Sequence, residues 1–280
     1  LRTFVSAVAV LIGLAMAAVA VPAMWVDRNI VQEDGFVTLT APLGKDPAFQ
    51  QRLAAAAVNS FSPDQVPESV VELIRPVLED AAQSLTGLPG YSEAWTETLR
   101  KSHRLSFADP NSLPAEMQGV SSLTLDVAPL VGLVAKRVAE ATSLPLESPA
   151  QVLITIGQPS QRQVIEQVSA YAPMGYAVAV GSAIAFVLAF VAARRRWTVL
   201  AGAGAGALLL SGVWTLAADA VGRAVERTSS GNAMAEIFKR EFVAASTSGF
   251  GQWTLAAAVA GAVLLALGIV LRAVGGRRRP

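Results

Sequence analysis

The sequence predicts a mainly α membrane protein: four transmembrane helices and a mostly helical extracytoplasmic domain containing a minor βαβ-like element. Three observations predict it. Met174 to Ala193 and Trp197 to Ala218 carry no charged residue, and each is long enough to cross a hydrocarbon layer about 30 Å thick. Between them stand Arg194, Arg195 and Arg196, and short loops rich in Lys and Arg stay on the cytoplasmic side of a membrane. The remaining ionisable groups are partitioned. Asp27 to Ala172 holds seventeen Asp and Glu against ten Lys and Arg, a local balance of −7, whereas Arg2, Arg194 to Arg196, Arg272 and Arg277 to Arg279 stand with no acid among them. That split fits basic cytoplasmic loops and an acidic domain on the far side.

Composition points the same way. Hydrophobic residues make up 53% of the chain, charged residues 15%, and the mean hydropathy is +0.48, all displaced towards a chain partly solvated by lipid. The chain has no cysteine, so an exported domain is held by packing without disulfide staples.

In chain order, residues 3–26 form an uncharged first span between Arg2 and Asp27, with Trp25 expected at the outer membrane interface. The competing reading is a cleaved secretory signal ending at Ala18-Val19-Ala20; the length and continuity of the run favour a span. Residues 27–172 are long enough for a compact outer domain. Asp46-Pro47 opens a helix whose face carries Phe49, Leu53, Ala57 and Phe61. Ser62-Pro63 opens a second, with an apolar stripe from Val70 to Leu85 bent at Pro76. Gly87 to Gly90 break the chain. Ser92 is then expected to cap a helix presenting Trp95, Leu99 and His103 on one face. Leu123, Leu125 and Val127 alternate, Asp126 caps a helix carrying Leu130, Val131, Val134 and Val138, and Val152, Ile154 and Ile156 alternate again. Strand, helix, strand is the order of a crossover unit with parallel strands. A helix from Ser160 leads to the second span, residues 174–193, and the third, residues 197–218.

The loop 219–251 is split at Ser229 to Asn232. Beyond the split Met234, Ile237, Phe238 and Phe242 form an apolar face opposite Glu236, Lys239, Arg240 and Glu241. Two partners for that face stand open: the lipid surface, on which this would be an interfacial helix, and the outer domain. Residues 252–271 make the fourth span, and 272–280 a basic cytoplasmic tail. Gly202 and Gly206, with Ala257 and Gly261 as a second pair, are in small-xxx-small register for close helix packing, with each other's helices or with a second copy.

The segment DGFVTLTAPLGKDPAFQQRLAAA, the W-x-x-x-x-R-x-x-H pattern at Trp95, Arg100 and His103, and LTLDVAPLVGLVAKRV are arranged between a first span and a set of three more. The whole resembles a family of actinobacterial integral membrane proteins of unassigned function. The resemblance implies four spans and a mostly helical outer domain, and brings no catalytic residues with it. Leu105 to Gly119, with Pro110 and Pro114, reads as irregular.

The search for chemistry is mostly negative. One His and no Cys leave only carboxylates for a protein metal site, and no segment has the close Asp and Glu spacing of a calcium loop, so no cofactor is expected. His103 lies on an apolar stripe, where a packed, hydrogen-bonded ring is the default over a general base. Trp95, Arg100, His103 and Asp126 are the polar candidates of the outer domain. No Gly-x-Ser-x-Gly elbow or phosphate-binding loop is present, and no nucleic-acid partner is indicated. No ionisable group lies inside a span, which disfavours an ion-coupled transporter. The expectation is a multi-pass plasma-membrane protein with both termini cytoplasmic, acting as a non-enzymatic scaffold or partner-binding module of the cell envelope, with the bilayer and a protein partner or second copy around it. Two alternatives stand beside it. One is a lipid-handling or transport accessory, with an apolar groove for a lipid ligand above the membrane and the helix 234–242 as its lip; the other is a sensor signalling through a partner.

Overall fold

A computed structural model of the 280-residue chain describes residues 2–52, 84, 87–107, 124–142, 150–155, 161–229 and 233–276. The expected helix with the stripe Val70 to Leu85 except Ser84, residues 108–119 of the irregular stretch, strand residues Leu123 and Ile156, and Arg277, Arg278 and Arg279 lie outside the described residues. The elements are α1 (Arg2–Val26), a π-helical turn (Asp27–Val31), α2 (Glu33–Thr40), a 3-10 turn (Ala41–Lys45), a helical start at 47–52, α3 (Tyr91–Phe107), β1 (Thr124–Asp126), α4 (Ala128–Thr142), β2 (Leu153–Thr155), α5 (Gln161–Tyr171), α6 (Met174–Ala192), α7 (Arg196–Glu226) and α8 (Ala233–Gly276). The fold is mainly α. Contacts divide it into two compact units, one of residues 1–28, 168–224 and 246–280, the other of residues 29–167 and 225–245.

Among the described residues, four helices of the first unit are long and apolar enough to cross a membrane: Arg2–Val31, Met174–Ala192, Arg196–Glu226 and Ala235–Val274, all but the second running beyond the unit. Its outward surface is greasy. Phe4, Leu11, Val187, Leu216 and Leu255 are among the exposed large side chains, an arrangement that suits lipid and not water. Helices α1 and α6 run antiparallel, since the Ser6 hydroxyl donates to the Ala189 carbonyl (2.9 Å) and the Ser182 hydroxyl to the Gly13 carbonyl (2.8 Å). In hydrocarbon a hydroxyl has no water to turn to, so these bonds both satisfy the serines and fix the helix register.

Pro22 sits inside α1 and cannot donate to the carbonyl one turn back, that of Ala18. The indole Nε1 of Trp214 on α7 donates to that carbonyl at 3.0 Å. A neighbouring helix thus supplies the hydrogen bond that proline withholds.

Helices α7 and α8 also run antiparallel, and they approach most closely at Gly204 and Gly261. A Cβ on Gly204 would stand 2.5 Å from the Gly261 carbonyl oxygen, and one on Gly268 would stand 2.7 Å from the Ala201 nitrogen. The expected pair Gly202 and Gly206 turns towards α1: a Cβ on Gly206 would run into the Leu14 side chain, a close helix approach, whereas one on Gly202 would meet only ordinary contact with Val10 at 4.0 Å. The seam with α8 lies on another face of α7. Trp197, Ala201, Gly204 and Leu208 form the seam on α7, spaced by fours and threes, and a shift of two residues rotates the stripe by about half a turn. Of the second expected pair, Gly261 is in the seam.

Trp25 is buried and meets the Phe250 ring edge-on, with centroids 5.4 Å apart, so it packs against α8. Two expectations at span ends are corrected. α7 continues past Ala218 to Glu226, and α8 runs unbroken from Ala233 to Gly276, joining the expected amphipathic helix to the fourth span. The physical reason is common to both: leaving an apolar run removes no backbone hydrogen bond, and neither Ala218 to Glu226 nor Val243 to Gln252 contains a proline to stop the helix.

In the second unit the core gathers Phe36, Val37, Leu43, Phe49, Tyr91, Trp95, Leu99, Leu125, Val127, Leu130 and Phe238. Helix α3 runs through its middle. It begins at Tyr91 after Gly90, whose φ of +85° favours glycine, so the expected cap Ser92 lies instead within the first turn. Asp46 does cap the helical segment at 47–52, accepting from the Ala48 and Phe49 amides at 2.9 and 3.2 Å. The expected parallel crossover is overturned. β1 and β2 pair antiparallel, Thr124 with Thr155, Leu125 with Ile154 and Asp126 with Leu153. A parallel crossover needs strands that a packed helix can return along, but these strands are three residues, about 10 Å, against a helix of fifteen, about 22 Å.

Candidate functional site

The polar residues singled out in the sequence fall on or beside α3, and the structure gives each a separate task. Trp95 is 2% exposed, its ring edge-on to Phe49 at 5.9 Å and pressed against Gly44, where no side chain would fit. It is a core residue. Three positions are turned towards the segment just before and within α2. Arg104 makes a bidentate pair with Glu33, donating from Nε at 2.8 Å and from Nη2 at 3.1 Å, and Arg100 stands 3.7 Å from the same carboxylate. Bidentate pairing of this kind carries geometric specificity as well as charge. The hydrogen bond from Arg104 is the main cause holding the Glu33 carboxyl below its ordinary value, while Glu33 in turn raises Arg104.

His103 lies between them and is buried. Its ring stacks on Phe107, with centroids 4.5 Å apart and planes 14° from parallel, and tilts against Phe36 at 5.1 Å. Nε2 lies 3.0 Å from the carbonyl oxygen of Ile30 and, since a carbonyl only accepts, is the donor. Burial lowers the histidine's pKa, against smaller opposing effects from the Ile30 carbonyl and Glu33. The carbonyl it reaches belongs to the π-helical turn, a geometry that leaves backbone acceptors out of the regular ladder. His103 therefore serves as a neutral, packed donor to a non-standard backbone turn.

Asp126 faces the other way. Its Oδ1 accepts from the Ala128 amide at 3.0 Å, capping α4, and from the Val152 amide at 3.2 Å, while its own amide donates to the Ser102 hydroxyl at 2.9 Å. The Val127 amide closes the ribbon on the Val152 carbonyl at 2.9 Å. One carboxylate thus ties a helix start, a strand pair and α3 together. Neither Arg100 nor Asp126 is the hydrogen-bond partner of His103, so these residues do not assemble an acid–base couple.

Among the described residues, no three His, Cys, Asp or Glu side chains stand close enough to hold a metal ion. The apolar face of the segment 233–242 has the second of its two open partners: Phe238 is buried in the core of this unit, stacked on Phe242 at 6.0 Å, with Ile237 packed alongside. Phe242 also meets Phe36 at 5.8 Å. A lipid-facing lip formed by Ile237, Phe238 and Phe242 is therefore overturned, because the ring meant to enter lipid is covered by protein; the side chain of Met234 lies outside the described residues. On the same segment Lys239 pairs with Glu236 at 2.7 Å and donates to the Thr228 carbonyl, and Glu241 pairs with Arg52 at 2.8 Å.

Among the described residues of the second unit, four buried polar side-chain atoms have no partner: Gln50 Oε1, the Tyr91 hydroxyl, Trp95 Nε1 and Thr98 Oγ1. Tyr91, Trp95 and Thr98 share one face of α3, and Gln50 reaches the Leu43 carbonyl through its amide nitrogen at 3.2 Å. Burial raises the Tyr91 pKa, so its phenol stays protonated. Of this group the sequence singled out only Trp95, because Tyr91 and Thr98 on a helical stripe look like ordinary core and Gln50 lies on another segment.

Comparison with protein families, curated proteins and solved structures returned no match.

Proposed function

We propose that the chain is a non-enzymatic membrane protein of the cell envelope, which anchors residues 29–167 and 225–245 outside the cytoplasm as a partner-binding module. The observation that carries this reading is the distribution of charge over the helical bundle. Antiparallel packing gathers Arg2, the turn Arg194 to Arg196 and Arg272 at one end, and none of the residues 2–26, 174–218 or 246–276 is acidic. By the positive-inside rule that end is cytoplasmic. α1 and α7 then deliver the chain to the opposite face, and the segment 27–172 reached from α1 has the local charge of −7. Three of the polar candidates support a binding role over a catalytic one, since Arg100 is committed to an ion pair, His103 to a backbone carbonyl and Asp126 to a helix cap.

The absence of cysteine from the sequence makes a direct test simple. Single cysteines at Glu93, exposed on α3, and at Arg195 are reacted in intact cells with a membrane-impermeant maleimide. Glu93→Cys is expected to label without permeabilisation and Arg195→Cys only after it; the reverse pattern refutes the placement. The partner is sought by crosslinking at native abundance through the same exposed face of α3, and a chain recovered only as a free monomer would refute the binding role.

A further inference from the structure

The four helices of the first unit do not close on one another everywhere. Between them lies a cleft of about 500 Å³ with walls from α1, α6, α7 and α8, including Leu14, Phe190, Val199, Ala203, Trp214 and Ala260, and every lining residue is apolar. The Trp214 N–H, the one polar side-chain atom in that wall, is already donated to the Ala18 carbonyl. Water has nothing to bind there, since apolar cavities stay dry. An empty cleft would forfeit the dispersion contacts of its whole lining. Hydrocarbon is the filling that remains. From Val199 to Trp214 the wall along α7 rises about 22 Å, more than half of a hydrocarbon layer about 30 Å thick.

One end of the cleft is cationic. The Arg196 guanidinium lies over the ring of Phe190, a wall residue, at 5.2 Å, and that of Arg272 over the ring of Trp197 at 5.1 Å. Arg194, Arg195, Arg196 and Arg272 are exposed, and none of the residues 174–218 or 246–276 leading to this end is acidic. An acyl chain lying in the cleft with its headgroup at that end would place a phosphate among uncompensated guanidinium groups. We infer that the bundle holds one anionic phospholipid, its acyl chain in the cleft and its phosphodiester at Arg194, Arg195, Arg196 and Arg272. Basic pockets between spanning helices are suited to anionic headgroups, each Arg contributing about 1 kcal/mol near a membrane surface.

The full chain is reconstituted in bilayers of phosphatidylcholine mixed with phosphatidylglycerol, extracted in mild detergent and weighed by native mass spectrometry. The expected result is one retained phosphatidylglycerol, preferred over phosphatidylcholine by about fivefold for each arginine engaged. Ala260→Phe fills the cleft from its exposed wall and should abolish retention of either lipid. Val187→Trp, also outward-facing, does the same from α6 should the first variant prove unstable. Arg194→Gln with Arg195→Gln should remove the preference and leave weak retention. Equal retention of both lipids by the unaltered chain overturns the inference, as does retention that survives both filling variants. A dimer or a bound protein in place of the lipid, dissociated by Ala260→Phe, assigns the cleft to a different occupant and overturns it equally.

Discussion

His103 and Glu33 show how a polar contact far apart in sequence sets the response of the second unit to acid. The folded state lowers the pKa of the His103 ring from 6.5 chiefly by burial, so below that value the unfolded chain binds the proton more readily than the folded one. Stability is unaffected above pH 6.5 and falls as the pH drops through it. Glu33 is lowered from 4.5 chiefly by its hydrogen bond from Arg104; its contribution is present above that value and is lost as the pH falls through its folded-state pKa. Thermal unfolding in detergent is expected to show two successive losses on acidification, the upper from His103 and the lower from Glu33. His103→Gln keeps a donor for the Ile30 carbonyl and should erase the upper loss alone. An unchanged upper limb in that variant would show that another group titrates there. The packed state of His103 was legible from its place on the stripe with Trp95 and Leu99. Its acceptor and Glu33 were not, because each lies about 70 residues away and no local spacing connects them.

Two elements depend on single side chains that close a backbone account. Asp126→Ala removes the cap of α4 and leaves the Val152 amide without its side-chain acceptor. A cap alone is worth roughly 1–2 kcal/mol, so chemical denaturation should register at least that loss, with Asp126→Asn recovering much of it because one oxygen remains to accept. In the bundle, Trp214→Phe leaves the Ala18 carbonyl unpaired in hydrocarbon, a cost of about 1 kcal/mol. With Pro22→Ala the helix can supply its own donor, so the same Trp214→Phe change should cost less. A double-mutant cycle on detergent-solubilised protein reads that coupling, and strict additivity would mean the indole bond is incidental. The spans were legible because lipid tolerates no charge over some twenty residues, which writes a long and unmistakable run. Where the spans end was not, since α7 and α8 continue through polar sequence that contains nothing to break them. The Pro22 and Trp214 pair was equally hidden: proline announces a missing donor but not which helix will replace it. The alternation around Leu125 and Ile154 correctly marked strands, yet three-residue strands carry no information on direction, and the antiparallel register is set by Asp126 and Ser102 through folding.

Across the whole molecule, two different solvents hold two different cores. The second unit buries Phe49, Leu99 and Trp95 away from water, so its stability rises with the apolar area it hides and weakens in urea. The first unit gains nothing by hiding Leu from water while lipid or detergent covers it. It is held instead by close contact at Gly204 and Gly261 and by hydroxyl and indole bonds to carbonyls. Urea should therefore unfold the chain in mild detergent in two steps. The first loses the helices of residues 29–167, and the second, if urea reaches it at all, loses the bundle. Leu99 is fully buried, so Leu99→Ala should lower the first midpoint by an amount corresponding to about 2–5 kcal/mol and leave the second in place. Gly204→Leu forces a side chain into the Gly261 backbone and should act in the opposite sense, sparing the urea transition and lowering the concentration of sodium dodecyl sulfate at which the bundle comes apart. Circular dichroism follows both steps, because both units are helical. A single transition shifted alike by both substitutions would show that α8, which contributes residues to each unit, binds them into one cooperative body, and the separation of solvents would not then be a separation of stabilities.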